Sequence, residues 1–287
     1  MMLTTFGHDA QRVVSLFASL FSSTRFRCLL SAALVTAAMM ALCPRPLLAA
    51  TMPYGDLMGA TVNYLTVTES SSTDPVPLFG TPTVSGDSLD FTPISFAATS
   101  LLHVPPVDQT DGHLTFMVVP KFVGGSIQNI QFGEGGGYTV GGFGTNQTFV
   151  DVSAIGNIDV FEIDGVSISK ETIPIKLTFS HGNNAGFNDN GEWHLVPQGF
   201  VNDSWTGGQF IDIKQILIDR GHTVVGGATK ITVALDNKLY AQSEIEGTAQ
   251  IDKKDFFTVT TNIPEPTSCV LAMLGLVVGV LASRRSR

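Results

Sequence analysis

Apolar and polar residues alternate one by one in several stretches of this chain, and a period of two restricts what those stretches can form. Residues 172–180, TIPIKLTFS, are the clearest case, and the stretches HLTFMVV and KITVAL repeat the pattern. Because successive side chains of a strand point to opposite faces of a sheet, this alternation is typical of antiparallel strands with one buried face. The residues predicted to lie on the buried faces are Ile173, Ile175, Leu177, Phe179, Leu114, Phe116, Val118, Ile231, Val233 and Leu235.

Short signals between these stretches predict how the strands are connected. Asp164 and Gly165 stand between two apolar runs, which indicates a tight β-hairpin. Residues 132–144, FGEGGGYTVGGFG, lack the lysine and the following helix of a phosphate-binding loop, so their glycines predict turns between short strands. Residues 69–82 combine serine, threonine and proline, and they predict a long surface loop.

One segment departs from the period of two, and composition supports strands elsewhere. In QFIDIKQILIDRG, Phe210, Ile213 and Leu217 lie on a helical stripe that Gly221 would end. Only 14% of all residues are charged, against about 25% in an average domain. We therefore predict an all-β fold, an antiparallel two-sheet β-sandwich of the jelly-roll kind with one short helix, formed by residues 51–262 as a single domain.

The N-terminal segment has the three parts of a secretory signal peptide. Three arginines precede an apolar core at residues 28–42, and small residues follow at Ala49 and Ala50, where cleavage is expected. Residues 1–50 are therefore predicted to engage Sec-type export machinery and signal peptidase, with an uncleaved N-terminal anchor as the alternative. The arginines are Arg12, Arg25 and Arg27.

The C-terminal segment is apolar but short. Residues 269–282 would extend roughly 21 Å as a helix, whereas the hydrocarbon core of a bilayer is about 30 Å thick. Such a length suits a processing signal better than a permanent anchor. Arg284, Arg285 and Arg287 would hold the end on the cytoplasmic side. Transient membrane insertion is therefore expected, with the preceding residues outside the cell.

The order of motifs in the last part of the chain resembles the PEP-CTERM sorting signal of bacterial exported proteins. The matching residues are Pro264, Glu265, Pro266, Arg284 and Arg285, on either side of the apolar run. The resemblance covers residues 263–287. It implies recognition and cleavage by a membrane protease of the exosortase class, followed by delivery to the cell surface, the outer envelope or an exopolysaccharide matrix. A coincidental, marginal membrane anchor is the alternative.

Cysteine usage and charge agree with export. The three cysteines, Cys28, Cys43 and Cys269, all lie in the two end segments, so no disulfide can stabilise residues 51–262. Those residues carry 8 Lys and 1 Arg against 16 Asp and 7 Glu, a formal net charge of −14 with histidine neutral. A surface this acidic repels phosphate backbones, which argues against nucleic acid as a partner.

One loop concentrates groups that could bind ligands. In residues 181–196, HGNNAGFNDNGEWHLV, oxygen-bearing side chains are dense enough to suggest a Ca²⁺ site. The nearby tryptophan and that of NDSWTGG could stack on a sugar of a polysaccharide. An ordinary Asx-rich turn beside a core tryptophan is the alternative. The candidate metal ligands are Asn188, Asp189, Asn190 and Glu192, and the candidate stacking residues are Trp193 and Trp205.

No catalytic residue can be assigned from the sequence. The histidines of residues 51–262 lack metal-ligand spacing, and no nucleophile elbow or nucleotide-binding loop is present. Paired carboxylates, such as Asp151 with Asp159 or Glu244 with Glu246, could serve a glycosidase if they met in a cleft. We therefore expect a non-catalytic binding or structural protein, with an extracellular glycan-acting hydrolase and a self-associating envelope subunit as alternatives.

Overall fold

The structure is a computed structural model that describes residues 50–181, 191–195 and 199–263. The apolar core of the predicted signal peptide, the sorting motif and tail from Pro264 onward, and three candidate ligands, Asn188, Asp189 and Asn190, lie outside these ranges. Within them, no helix is long and apolar enough to cross a membrane.

The described chain is mostly strand, and nine of its fourteen strands have nine or more residues. The elements in chain order are β1 (Ala50–Met58), β2 (Val62–Ser71), β3 (Thr83–Ser85), β4 (Ser88–Phe91), β5 (Ala97–Leu101), β6 (Val107–Pro120), β7 (Asn129–Gly142), β8 (Phe149–Ile163), β9 (Val166–Lys176), β10 (Thr178–His181), β11 (Glu192–His194), β12 (Phe200–Asp212), α1 (Ile213–Asp219), β13 (Ala228–Gln242) and β14 (Gly247–Asn262).

The strands form two antiparallel sheets that enclose one core. The first sheet has the order β1-β2-β6-β13-β8, and both β9 and β11 pair with the far side of β8. The second has the order β10-β12-β7-β14, after which β4 and β5 pair with different parts of β14, and β3 pairs with β4. The predicted jelly-roll-like β-sandwich with one short helix is therefore confirmed.

The alternating stretches bury the residues that the sequence predicts. Every residue of the predicted buried faces is at most 4% exposed, and they belong to one cluster between the sheets. The alternation in TIPIKLTFS does not reveal that this stretch is divided between two sheets. Its first part, in β9, belongs to the first sheet, and its last part, in β10, belongs to the second. The chain changes sheets at Leu177, whose amide donates to the carbonyl of Ala154 at 3.0 Å. The alternation continues through the change, so both strands point inward.

The predicted hairpin joins β8 to β9. Asp164 (φ 50°) and Gly165 (φ 81°) both have positive φ, as the favoured two-residue hairpin turn requires. The Asp164 carboxylate also accepts hydrogen bonds from the amides of Val225, Gly226 and Gly227 at 2.7, 2.7 and 3.0 Å, and so fixes the loop before β13 to the turn.

The predicted helix is present but begins later than its stripe suggested. Ile213 and Leu217 are buried, the Asp212 carboxylate accepts from the Gln215 amide, and Gly221 (φ 89°) follows the C-cap. Phe210, by contrast, was wrongly placed on the helix. It lies in β12 opposite Gln131 of β7 and is 60% exposed, because the ladder between these strands continues to Asp212.

The glycine-rich segment was wrongly predicted as turns. It lies within or just after β7, which runs through the middle of the second sheet between β12 and β14. Its glycines leave room for neighbours that a side chain would displace. A Cβ on Gly136 would lie 1.8 Å from the Asp252 carbonyl oxygen, and one on Gly141 would lie 2.5 Å from the Phe200 ring.

The segment predicted as a surface loop is partly internal. β2 continues to Ser71, and Leu78 and Phe79 are 1% and 0% exposed. Glu69, also fully buried, accepts hydrogen bonds from the amides of Leu78 and Phe79 and from the Tyr54 hydroxyl. A carboxylate thus satisfies the backbone of a loop that enters the core.

A charged cluster lies between the sheets, and we call Lys253, Glu134 and Asn237 the buried triad. Lys253 Nζ lies 2.6 Å from Glu134 Oε2 and 2.6 Å from Asn237 Oδ1, and both charged side chains are 0% exposed. Burial raises the pKa of Glu134 and lowers that of Lys253, and their mutual attraction opposes both shifts. The surrounding rings are those of Phe79, Phe96, Trp205 and Phe257, with centroids 4.8–6.0 Å from Nζ.

A bulge in β14 directs Lys253 inward. Asp252 pairs with Gly137 and Phe256 with Gly135, so the three intervening residues of β14 lie opposite Gly136 alone. The Lys253 amide donates outside this ladder, to the carbonyl of Phe96 at 3.0 Å. The triad therefore depends on two backbone features, the bulge in β14 and a glycine at position 136.

Replacing Lys253 by Met should lower the free energy of unfolding by about 3–5 kcal/mol, because Glu134 would stay buried without its cation. Urea titration measures this change. Lys230→Met, at a partly exposed position of β13, should shift the value by less than about 0.5 kcal/mol. A loss at Lys253 as small as that of the control would contradict the structural role assigned to the buried pair.

Candidate functional site

The outer face of the first sheet carries a row of aromatic rings near one end of the sandwich. We call His194 of β11, Phe149 of β8 and Tyr240 of β13 the aromatic row. The Phe149 ring centroid lies 5.1 Å from that of His194 and 5.5 Å from that of Tyr240, with interplanar angles of 35° and 30°. All three residues are partly exposed. The three rings thus contact one another in a row across three adjacent strands.

Strand register produces this row. His194 pairs with Phe149 across β11 and β8, while Asp151 of β8 pairs with Tyr240 of β13. Neighbouring positions of the same strands, such as Val150 and Leu239, are buried. The alternation that fills the core therefore also determines which side chains reach the outer surface.

Polar contacts hold the rings in place. His194 Nδ1 lies 2.7 Å from the Asn146 carbonyl oxygen, and Nε2 lies 2.6 Å from Glu192 Oε1. The Tyr240 hydroxyl donates to Gln242 Oε1 at 2.9 Å. The Lys238 ammonium lies 5.7 Å from the centroid of the Tyr240 ring, within cation–π range.

Two carboxylates lie directly beside the row. Asp151 and Glu192 are cross-strand partners in β8 and β11, so their Cβ atoms are about 4.5–5.5 Å apart on one face. Burial raises the pKa of Asp151, the charge of Glu192 raises it further, and Lys238 opposes the rise. We call Asp151 and Glu192 the acid pair.

Of the acid pairs considered from sequence, Asp151 and Asp159 are not brought together. Asp151 and Asp159 lie eight residues apart on β8, roughly 26 Å along the strand. Asp159 instead contacts Lys170 at 3.2 Å and the Thr172 hydroxyl at 2.7 Å. Glu244 accepts a hydrogen bond from the Thr145 amide at 2.6 Å and so supports the loop between β7 and β8.

The two tryptophans lie in the core, which corrects the stacking role predicted for them. Trp193 is 0% and Trp205 1% exposed, so neither offers a ring face to a ligand in solution. Trp193 stacks on Tyr138 at 4.8 Å, and Trp205 donates from Nε1 to the Asp252 carbonyl at 3.1 Å. Each occupies an inward position of its strand, where a large apolar ring fills the space between the sheets.

The calcium prediction stays a prediction. Of its four candidate ligands, Glu192 lies in the described ranges, where it belongs to the acid pair. In those ranges, no group of three or more His, Cys, Asp or Glu residues could hold a metal ion.

Sequence reasoning missed the aromatic row because its members are distant in sequence. Each member of the row occupies the polar position of an alternating stretch. An aromatic residue at such a position indicates a ring on the outer face of the sheet. Which of them meet depends on strand pairing, which the sequence does not reveal. The row offers partly exposed aromatic surface, and the acid pair and Lys238 offer hydrogen-bond acceptors and donors beside it. Aromatic surface beside polar groups can bind a molecule that is apolar on one face and polar at its rim.

Comparisons with known proteins do not assign a family. No family model matches the chain, and no curated protein matches it. Among solved structures, the fold is similar to TmCBM61 in complex with β-1,4-galactotriose, with 8% identity, 61% of this chain and 70% of that chain covered, and a TM-score of 0.17. It is also similar to the family 11 xylanase from Neocallimastix patriciarum, with 10% identity, 75% and 100% covered, and a TM-score of 0.18. At these TM-scores the likenesses carry no functional information.

Replacing Asp151 by Asn should raise the melting temperature at pH 7, because it removes a charge that the folded state disfavours. The raised pKa means that the folded protein binds this proton more tightly than the unfolded chain does. The destabilisation is therefore complete above the raised pKa of the folded state and is lost as the pH falls from there through the ordinary value of 3.8. Calorimetry at pH 7 measures the gain in melting temperature, and calorimetry at pH 3 measures its disappearance.

Asp255→Asn, at an exposed position of β14, is the matched control and should give no comparable gain. A lower melting temperature for Asp151→Asn at pH 7 would contradict the repulsion within the acid pair.

Proposed function

We propose that this protein is exported and displayed at the cell surface or in an extracellular matrix, where its β-sandwich binds polysaccharide without catalysis. The observation that carries the binding role is the aromatic row with polar groups at its edge. Sugar rings have apolar C–H faces and hydroxyl groups at their rim, so they match partly exposed aromatic side chains flanked by carboxylates and an ammonium group. The acidic character of residues 51–262 favours a neutral glycan over an anionic one.

The course of β14 supports display. β13 ends at Gln242, next to the aromatic row, and β14 then runs back over 16 residues to Asn262, roughly 50 Å away along the strand. The segment resembling a sorting signal therefore begins at the opposite end of the sandwich. A domain held through that segment would keep the aromatic row directed away from its attachment point.

A glycan-acting hydrolase is the second candidate, and the acid pair favours it. Retaining glycosidases place two carboxyl groups about 5–5.5 Å apart, and they require one to be protonated and the other ionised. Asp151, with its raised pKa, would be the acid, and Glu192 would be the nucleophile. Against this role, Glu192 Oε1 is in contact with the ring of His194, which would compete with its attack on a substrate.

Self-association through strand edges has less support. The edge strand β1 contains Pro53 and two register shifts, and β9 contains Pro174. Proline and irregular register are devices that natural proteins use to prevent edge-to-edge pairing.

Tyr240→Ala should weaken binding of a neutral polysaccharide by roughly two- to thirteen-fold, since an aromatic contact contributes about 0.5–1.5 kcal/mol. Affinity electrophoresis in gels containing β-1,4-galactan, xylan or another neutral polysaccharide measures the loss. Phe210→Ala removes a more exposed aromatic ring from the other sheet and should leave binding unchanged.

Equal retention of Tyr240→Ala and the wild-type protein on every glycan bound would contradict the aromatic row as the site. Release of reducing ends by the wild-type protein, abolished in Asp151→Asn, would favour the hydrolase instead.

The surface form of the protein should lack both end segments. Mass spectrometry of the cell-surface fraction should find a mature form that starts near Thr51 and lacks residues 269–287, because signal peptidase and an exosortase would remove the rest. Intact C-terminal peptides in the mature surface form would contradict processing at the sorting signal. This measurement is independent of the glycan-binding assay.

A further inference from the structure

The buried triad holds three reactive groups in contact and links the two sheets. Asn237 lies on β13 in the middle of the first sheet, and Lys253 and Glu134 lie on adjacent strands of the second. Lys253 Nζ is 2.6 Å from the amide oxygen of Asn237 and 2.6 Å from the carboxylate of Glu134. The Lys253 amine is therefore in contact with both an amide carbonyl and a carboxyl group, and all three residues are buried.

We propose that Lys253 and Asn237 condense to an intramolecular isopeptide bond, with Glu134 as the proton-transfer residue. The bond would join Lys253 Nζ to Asn237 Cγ and release Nδ2 as ammonia. It would be a covalent connection between the sheets in a domain that contains no cysteine.

The chemistry balances within the triad. The Lys253 ammonium first gives a proton to Glu134, and the free amine attacks Asn237 Cγ. Glu134 then donates a proton to Nδ2 and takes one from the attacking nitrogen, and the Cγ–Nδ2 bond breaks. Of the three ammonium protons, one stays on the new amide, one leaves with ammonia and one remains on Glu134. The reaction needs neither an oxidant nor a second substrate.

The surroundings favour each of these steps. A buried site of low dielectric disfavours the charged pair, so the pKa of Glu134 is raised and that of Lys253 is lowered, toward the neutral amine and acid that the attack requires. Four aromatic side chains exclude water that would otherwise solvate the amine. Such a preorganised, dry contact between nucleophile and electrophile replaces a large part of the entropic cost of the reaction.

Two polar atoms of the triad are unsatisfied, as the proposal requires. Among the described residues, Asn237 Nδ2 and Glu134 Oε1 have no hydrogen-bond partner, although both are buried. A structural asparagine in a core normally has its amide group bonded, because an unpaired buried donor costs about 1–3 kcal/mol. Here the unpaired donor is the group that would leave.

Peptide mapping of the intact, folded protein tests the bond. Trypsin does not cleave after an acylated lysine, so the condensed protein should yield residues 231–238 joined to residues 239–254. The joined product should be lighter than the sum of its two peptides by the mass of one ammonia molecule. Recovery of unmodified residues 231–238 and a free Lys253 side chain as the dominant species would overturn the proposal and leave an ordinary buried ion pair.

Two variants examine the mechanism. Glu134→Gln keeps the shape of the side chain but removes the proton carrier, so the joined product should disappear while the circular dichroism spectrum stays β-type. Asn237→Asp should still condense, now with loss of water, and give a joined product of the same mass as the wild type. Asn202→Asp, at an exposed position of β12, is the control and should leave the wild-type product unchanged.

A wild-type yield of the joined product in folded Glu134→Gln would contradict the role of Glu134. A joined product that appears equally in protein unfolded in urea would contradict dependence on the folded triad.

Discussion

The burial of Lys253 between two sheets is the interaction to which much of the second sheet is adapted. A buried ammonium group is tolerated only with an opposite charge and further hydrogen-bond acceptors, and Glu134 and Asn237 supply these from β7 and β13. Bringing Lys253 inward requires a bulge in β14, and the bulge requires Gly136 opposite it, where a side chain would meet the Asp252 carbonyl. Gly136 of β7 and the buried charge of Lys253 thus depend on each other.

The inner face of the first sheet forms the core, and its outer face carries the acid pair and the aromatic row. Successive residues of one strand alternate between these two faces. In β11, Glu192 and His194 point outward to the acid pair and the aromatic row, while Trp193 between them lies in the core. A register shift of one residue would bring the tryptophan to the surface and bury both polar groups. The stability of the core therefore maintains the arrangement of the surface rings, although no ring of the row belongs to the core cluster.

Features that depend on local alternation could be predicted from the sequence, and features that depend on strand partners could not. The inward faces of β6, β9 and β13 and the Asp164-Gly165 turn follow from local rules of periodicity and backbone conformation. The prediction that Phe210 lies on the helix was wrong. Its spacing to Ile213 suits a helix, whereas pairing with β7 keeps it in a strand. The triad and the aromatic row join residues up to 119 positions apart, as for Glu134 and Lys253, so only the fold brings them together.

The position of β14 has a mechanical consequence. It is the last described strand, yet it lies inside its sheet, with β7 on one side and β4 and β5 on the other. Tension applied along the chain beyond Ile263 would act parallel to this strand and load its hydrogen bonds together in shear, whereas an edge strand pulled sideways separates one bond at a time. Because β14 is held on both sides, such tension would have to break two ladders of hydrogen bonds before the strand could leave its sheet.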